Sequence, residues 1–572
     1  MSIKAVFPFI GTLQQYSATK LTQDFIAGLI VSIMVIPQSL AYAMLAGLPP
    51  EHGLYASIVP TLVYALLGTS STMAVGPVAI ASIMTASALS NVENLGISYI
   101  DGSILLSLMS GFFLFFLGLF RFGFISHFLS HPVVTAFVTA SGFIIALSQI
   151  KHLFGVELDS NQFFSIGYQL YHSIDQINPK TLLLGLSCLA FLIMSKTLVV
   201  PVLKKIGVKD AIAKSVARIA PVLGVVATSF IVYRWHLDTE GVAIVGTIPQ
   251  GIGEFGIPKW SFEAIKALAL PAIFISIIGY IASISVSRTL ASKRLEKVAP
   301  DQELIALGGS NIAAGLVSAF PISGGFTRSV INYDAGAATA ISGIFTAINI
   351  ALISLFLTSY FYYLPIVMLA ATIIVSASSL IDFSILKKTW KFSKKDFYAA
   401  LLTILFTLSF GVEAGVGTGI VVSILLHLYH TSRPYVAELG LIPNTRHFRN
   451  ILHFNVETQP SVVCLRFDES FIFSNVNFIE EYIEQLIDKR PEVKHIIIHC
   501  GAVNTIDYSG MELLFKINTT LQNANVQFHL SDLKTPLQKQ LTQTDFFEEQ
   551  YGRLYLNLYD GYTALTHKKS YS

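Results

Sequence analysis

The sequence predicts a polytopic α-helical membrane protein that ends in a small cytosolic α/β domain. Three observations carry this: the bulk composition, the recurrence of long apolar runs, and a change of pattern after residue 431. Of 572 residues, 53% are hydrophobic and only 13% charged, and the mean hydropathy is +0.63. Soluble chains carry about 25% charged residues. The net charge of +2 is uninformative in itself, since what matters here is where the charges lie, and no nucleic-acid partner is expected. Cys188, Cys464 and Cys500 show no CxxC spacing, so neither a metal, a cofactor nor a disulfide framework is expected.

Residues 1–23 lack a continuous apolar core and a small-residue cleavage site, and read as a cytosolic lead-in rather than a signal peptide. Runs able to cross a hydrocarbon core of about 30 Å follow. They lie near 24–46, 51–68, 77–90, 102–120, 131–150, 180–200 and 215–233. A second set lies near 267–287, 303–319, 326–338, 340–358, 362–380, 397–410 and 413–430. With a cytosolic N-terminus, the cytosolic connections hold 16 Lys and Arg against five on the other side. That is the partition the positive-inside rule demands, and it keeps both termini cytosolic. The expected location is a bacterial inner membrane.

The expected domains are therefore a membrane domain over 24–430, a polar linker with two prolines over 431–448, and a soluble domain over 449–567. In the last, the strand-like "VVCLRF", "HIIIHC" and "VQFHL" alternate with the helix-like "NVNFIEEYIEQLIDK" and "GMELLFKINTTLQ".

The third and tenth spans are too short to cross alone, and each opens with glycine- and proline-rich, β-like sequence: "STMAVGP" and "FPISGG". Each is third in its set of seven. Seven is odd, so the two sets run in opposite directions as 7+7 inverted repeats. Interrupted spans at matching places in inverted halves point to a midplane site. Irregular backbone at that depth is tolerated only when buried in protein or lining a cavity. A half-helix starting there leaves its first N–H groups free at the positive end of its dipole, which suits an anion. Pro77 fits a first helical turn, where its missing N–H costs nothing; Gly324 and Gly325 permit the turn. Arg328 adds a full positive charge at a cost of about 2.5–3.5 kcal/mol on insertion scales. A substrate anion, in contact with a lipid bilayer protein, is the consequence.

The stretch "DFIAGLIVSIMVIPQSLAYAMLAGLPPEHGLYASIVPTLVYALLGTSSTMAVGP" resembles the first three spans of the sulfate permease family, which includes the animal anion exchangers pendrin and prestin. "GYIASISVSRTLASKR" with "DQELIALGGSNIAAGLVSAFPISGGFTRSVIN" is similar to that family's eighth to tenth spans, and "NTIDYSGMELL" to its C-terminal STAS domain. The resemblance implies a core domain and a gate domain, elevator-like motion of the core, and a homodimer. It places the anion pocket on Gln38 and Tyr42 in the first span, Pro77 and Val78 at the third, and Phe326, Thr327 and Arg328 at the tenth. Gly76, Gly324 and Gly325 are the matching backbone hinges. Within the STAS domain, Ser509 stands where anti-sigma-factor antagonists carry a phosphorylatable serine, which would make it regulatory and the domain a docking point for a cytosolic partner. Helix capping by the same "DYSG" segment is the plain alternative.

The same residues have structural readings. Arg328 can bind carbonyls freed by the broken helix, and Tyr42 can simply pack. One departure from the family matters more: Ala282 occupies the eighth-span position where many cation-coupled members carry an acid, which argues against sodium or proton symport through it. The function expected is secondary transport of sulfate or a similar small anion, such as bicarbonate, chloride or a dicarboxylate. A passive channel or voltage-responsive element is the alternative, and a nucleobase permease would want carboxylates in the pocket. No nucleophile–base set marks an enzyme.

Overall fold

The computed structural model describes residues 7–14, 16–90, 92–127, 130–156, 163–207, 210–256 and 258–566. Residues 1–6 and 15 of the expected lead-in, and residue 567 of the expected tail domain, lie outside the described residues. The chain divides into two compact units, 1–423 and 424–572.

Each of the fourteen stretches expected to span carries a helix. The first seven are α1 (Ala18–Leu45), α2 (Glu51–Leu67), α3 (Ala79–Leu89), α4 (Tyr99–Leu119), α5 (His131–Ser148), α6 (Pro179–Thr197) and α7 (Asp210–Trp235). The second seven are α8 (Phe262–Arg294), α9 (Pro300–Leu316), α10 (Phe326–Asp334), α11 (Ile341–Phe356), α12 (Ile366–Ser378), α13 (Lys394–Phe410) and α14 (Val412–Ser432). Among the described residues, five helices are both long and apolar enough to cross a membrane alone, those beginning at Ala18, Tyr99, His131, Pro179 and Phe262.

Local chemistry sets the ends. Ser17, Ser98, Asn178 and Ser261 each precede a helix and accept a first-turn N–H on the side-chain oxygen, which satisfies donors the helix itself leaves open. Small residues bring α4 and α9 together. A Cβ on Gly111 would lie 2.5 Å from the backbone N of Ile312, and one on Gly308 2.5 Å from that of Phe115. Any larger residue would force the helices apart, and in lipid such close backbone contact replaces a hydrophobic drive.

Among the described residues, two carboxylates are buried at helix ends, and both are fully bonded. Asp24 accepts from the N–H groups of Ala338 (2.7 Å) and Thr339 (2.9 Å), the Thr339 hydroxyl (2.6 Å) and the Tyr16 hydroxyl (3.0 Å). Glu303 accepts from the Tyr64 hydroxyl (2.7 Å), and from the N–H (2.8 Å) and hydroxyl (2.6 Å) of Thr69.

Between α2 and α3 lies β1 (Val75–Gly76), and between α9 and α10 lies β2 (Ser323–Gly324). They pair antiparallel, Val75 with Gly324 and Gly76 with Ser323. Opposed direction is what inverted halves require.

The second unit holds a six-stranded sheet, β3 (Val436–Leu441), β4 (Phe448–Asn450), β5 (Val462–Phe467), β6 (His495–His499), β7 (Gln527–Ser531) and β8 (Leu554–Tyr555), in the order β4-β3-β5-β6-β7-β8. Strands β5 to β8 run parallel, and β3 runs antiparallel to both its neighbours. One face packs on α15 (Val476–Lys489) and α16 (Tyr508–Asn523) through Leu465, Ile483, Ile496, Leu514 and Phe528. The other packs on α17 (Leu558–Thr566) through Leu439, Cys464, Ile497 and Tyr562. Burial pushes the Cys500 thiol up to about 12 and the Cys464 thiol higher still, so neither forms a reactive thiolate.

The stretch expected as a linker over 431–448 contains β3, and β4 begins at its last residue. Pro434 and Pro443 flank β3 rather than interrupt it. Ala437 and Leu439 point into the sheet, while Glu438 between them is held by Arg490 in a bidentate pair of 2.7 and 2.9 Å. A charge in the middle of the strand concealed its alternation.

Candidate anion-binding site

The β1–β2 ladder is short, and neighbouring side chains complete its hydrogen bonding. Thr61 on α2 donates to the Val75 carbonyl (3.0 Å), and Ser283 on α8 accepts from the Gly324 N–H (2.8 Å). The Ala74 N–H donates to Ser329 (3.0 Å), and Gly325 N–H to the Ala74 carbonyl (3.0 Å). Asn311 on α9 bonds both the N–H and the carbonyl of Ile322 at 2.9 and 3.0 Å. Every one of these contacts fixes where the two half-helices start.

Helix α3 opens at Ala79 with Val78 extended before it, and α10 opens at Phe326 with Gly325 extended before it. Pro77, expected in the first turn of the helix, therefore stands ahead of the N-cap, in the link from β1. The ladder holds the chain extended as far as Val78 and delays the helix. The first-turn N–H groups of residues 79–81 and 326–328 have no i−4 carbonyl in their own helices.

Both helix starts border one cavity of about 330 Å³. Gln38 and Tyr42 reach it from α1, Pro77 and Val78 from the α3 side, and Phe326, Thr327 and Arg328 from α10. Gly324 and Gly325 border it too; Gly76 does not, and sits in the ladder behind. Phe326 is 57% exposed, whereas Arg328 is only 3% exposed.

Arg328 is held by few contacts. Its Nη2 donates to Ser39 at 3.4 Å, and its guanidinium carbon lies 5.8 Å from the centre of the Tyr42 ring, within cation–π range. Nε and Nη1 have no hydrogen-bond partner. No carboxylate pairs with Arg328 among the described residues. Gly76 is needed for its approach, because a Cβ there would sit 2.4 Å from Nη1. The structural reading of Arg328, as a partner for freed carbonyls, finds no such bond. An arginine that is buried, unpaired with any acid and next to two helix N-termini leaves a strong positive field in a small volume.

Sequence reasoning missed two hydroxyls, Ser323 and Ser376 on α12, which line the cavity together with Ser285 on α8. Each lies in a run of small residues, "FPISGG", "ASISVS" and "VSASSL", which gave no periodic signal. Ala282 lines the cavity as well. Ser283 is committed to Gly324 and is not among the lining residues.

In the second unit, Asp507 caps α16. It accepts the Gly510 N–H on one oxygen and the Phe473 N–H on the other, both at 2.8 Å. Ser509 is in the first helical turn and is not the cap. Gly510 follows it because a Cβ would meet the Phe471 carbonyl at 2.2 Å.

The fold and this site define a multi-pass membrane transporter with a C-terminal STAS domain. The sulfate permease family profile matches residues 21–403 and the STAS domain profile residues 453–561. The chain belongs to the sulfate permease family, which consists of transporters rather than enzymes. It is 33% identical to "Probable sulfate transporter 4.2" of Arabidopsis thaliana over 549 residues, covering 93% of this chain and 79% of that one. It is 32% identical to "High affinity sulfate transporter 2" of Stylosanthes hamata over 549 residues, covering 93% and 82%. The murine Slc26a9 anion transporter in its inward-facing state shares the fold, with a TM-score of 0.88 at 23% identity over 98% of this chain and 94% of that one. The transmembrane domain of the cyanobacterial bicarbonate transporter BicA aligns with a TM-score of 0.60 at 19% identity over 72% and 98%.

Proposed function

We propose that the protein is a secondary transporter of sulfate, carrying its anion by elevator-like movement of a core domain against a gate domain. The observation that carries this is the meeting of two helix N-termini with a buried, acid-free Arg328 on one cavity. Donors without acidic neighbours favour an anion that can accept from several sides at once, as sulfate does. The names of the plant relatives favour the same anion. The test is labelled-sulfate uptake into proteoliposomes, competed by bicarbonate, chloride and a dicarboxylate. Sulfate should compete best.

The transport mode proposed is exchange or uniport. Ala282 puts a methyl group in the cavity where a coupling carboxylate would stand. The hydroxyls nearby, such as Ser285, cannot titrate. Uptake should therefore be stimulated by anion inside the vesicle and indifferent to imposed proton or sodium gradients. Ala282→Glu should make it pH-dependent. Severalfold accumulation by the unaltered protein under an inward proton or sodium gradient, with no anion inside, would overturn this mode.

Fourteen crossings with both termini cytosolic are proposed as the topology. Contacts between connections away from the β1–β2 ladder support it, because those that follow link segments assigned to the same side. Asp24 bonds residues 338–339, Glu303 bonds Thr69, and Asp301 accepts from the Gly123 N–H at 2.8 Å, all on the cytosolic side. Tyr99 bonds the Ala46 carbonyl, His52 meets the Ser318 carbonyl, and Lys180 pairs with Glu240, all on the other. The three native cysteines are buried, so labelling of introduced ones is clean. Tyr168→Cys should react with an impermeant reagent applied outside intact cells, and Lys388→Cys should not. The opposite pattern would reverse the topology.

A homodimer is proposed from the family resemblance. The STAS domain is proposed to regulate and stabilise rather than to conduct, since its core is that of an ordinary α/β domain.

A further inference from the structure

We propose that a single water molecule sits behind Arg328, bridging it to Asn332, and that this bridge sets the orientation in which the arginine meets the anion. The inference rests on a second, much smaller cavity on the far side of the guanidinium, of about 10 Å³, bordered by Ser57, Thr61, Arg328, Asn332 and Gly343. Arg328 borders both cavities and forms the partition between them.

Two of the residues that border it, Arg328 and Asn332, carry polar atoms without protein partners. Nη1 of Arg328 lies against Gly76, where the direction of a Cβ also leads to the Ser57 hydroxyl. It has no hydrogen-bond partner, and neither has Oδ1 of Asn332. Both residues are 3% exposed. The Asn332 amide cannot be turned over to change this. Its nitrogen donates to the Thr72 carbonyl (3.2 Å) and to Ser342 (3.0 Å); the Thr72 carbonyl needs a donor, which the amide oxygen cannot be, and this fixes Oδ1 on the other side.

An unpaired buried donor and an unpaired buried acceptor each cost about 1–3 kcal/mol. A water removes both costs. A cavity needs roughly 10–15 Å³ of this measure and two to four polar partners to hold one, and this one meets the lower bound with no room for a second molecule or a larger ion. The water would accept from Nη1 and donate to Oδ1. Its second hydrogen would go to Ser57 or Thr61, whose own hydrogens are engaged by the Gly53 carbonyl (2.9 Å) and the Val75 carbonyl (3.0 Å). Asn332 then acts as a positioning residue for Arg328 through the water.

Gly343 supplies the test. A Cβ there meets nothing nearer than 3.5 Å, at Thr61 and then Ala65, so Gly343→Ala fits the fold while taking volume from the chamber. If the chamber is dry, the variant fills a void and replaces a helical glycine, and the unfolding midpoint measured without sulfate must rise. If it holds the water, the alanine expels it, and the midpoint should fall by several degrees. Sulfate affinity should then drop about fivefold, as loss of one hydrogen bond predicts. The affinity arm rests on Arg328 binding the anion; the stability arm does not, so failure of that reading shows separately. A raised or unchanged midpoint overturns the water. A lowered midpoint with unaltered affinity overturns the positioning role. Should the variant not fold, a high-resolution map of the unaltered protein decides: a compact peak within bonding distance of Nη1 and Oδ1 is expected, and continuous absence of density there refutes it.

Discussion

Arg328→Ala is expected to weaken sulfate binding roughly ten- to hundredfold, the worth of a hydrogen bond to a charged group in a desolvated site. The reasoning is electrostatic. Among the described residues no acid neutralises Arg328, and the cavity keeps it from bulk water, so its charge acts on whatever enters. Arg328→Lys should restore only part of the affinity, because an ammonium on a flexible stem lacks the planar fork that can serve Ser39, the rear chamber and the anion together. Affinity is read from the sulfate-dependent rise in unfolding midpoint and from half-saturation of uptake. Well-folded Arg328→Ala protein with unaltered affinity would remove the arginine from the site and leave it a structural role.

The second large effect is on stability. Glu303→Ala should cost about 3 kcal/mol or more and sharply lower the yield of folded protein. Glu303 is completely buried and satisfies three donors, from Tyr64 and Thr69. Removing it strands the Tyr64 hydroxyl and the Thr69 N–H in the interior, at about 1–3 kcal/mol each. Those donors sit at the end of α2 and in the connection that leads to β1, so the damage should spread to the anion site as mixed folding rather than as weakened binding alone. Glu303→Gln keeps one carbonyl acceptor and should be milder. Unfolding midpoints in detergent decide it; an alanine variant as stable as the parent would mean that the carboxylate carries no structural burden.

Neither buried acid was legible as such in the sequence. A lone carboxylate near the end of an apolar run, as Asp24 is, carries no sign in the sequence of what will bury it. What buries Asp24 is a set of donors at residues 338–339, and what buries Glu303 is a pair more than two hundred positions away. Periodicity carries no information about such partners. By contrast, the seven site residues were placed by the family resemblance, whereas the helices and the broken third and tenth spans could be read from apolar run length and from two glycine-rich interruptions. Both are local signals with one physical cause, the exclusion of unpaired backbone from lipid. The misplacement of Pro77 is instructive in the same way. Its helix-start preference is real, but two ladder bonds from a distant segment outweigh it. Likewise β3 was hidden because Glu438, which looks solvated in sequence, has its charge answered by Arg490 from α15.

The ladder between β1 and β2 bears on the symmetry of transport itself. It locks the starts of α3 and α10 to one another, with Thr61, Ser283 and Asn311 holding the lock from three further helices. A carrier that moves such a body across the membrane delivers the same N–H cradle and the same arginine to each aqueous face. The intrinsic affinity contributed by that cradle is then equal inside and out. Any preference for loading on one side has to come from cavity residues outside that body, such as Ser376 on α12, or from the ionic conditions of the two compartments. Directionality, on this geometry, is written into the wall the anion passes rather than into the hand that holds it.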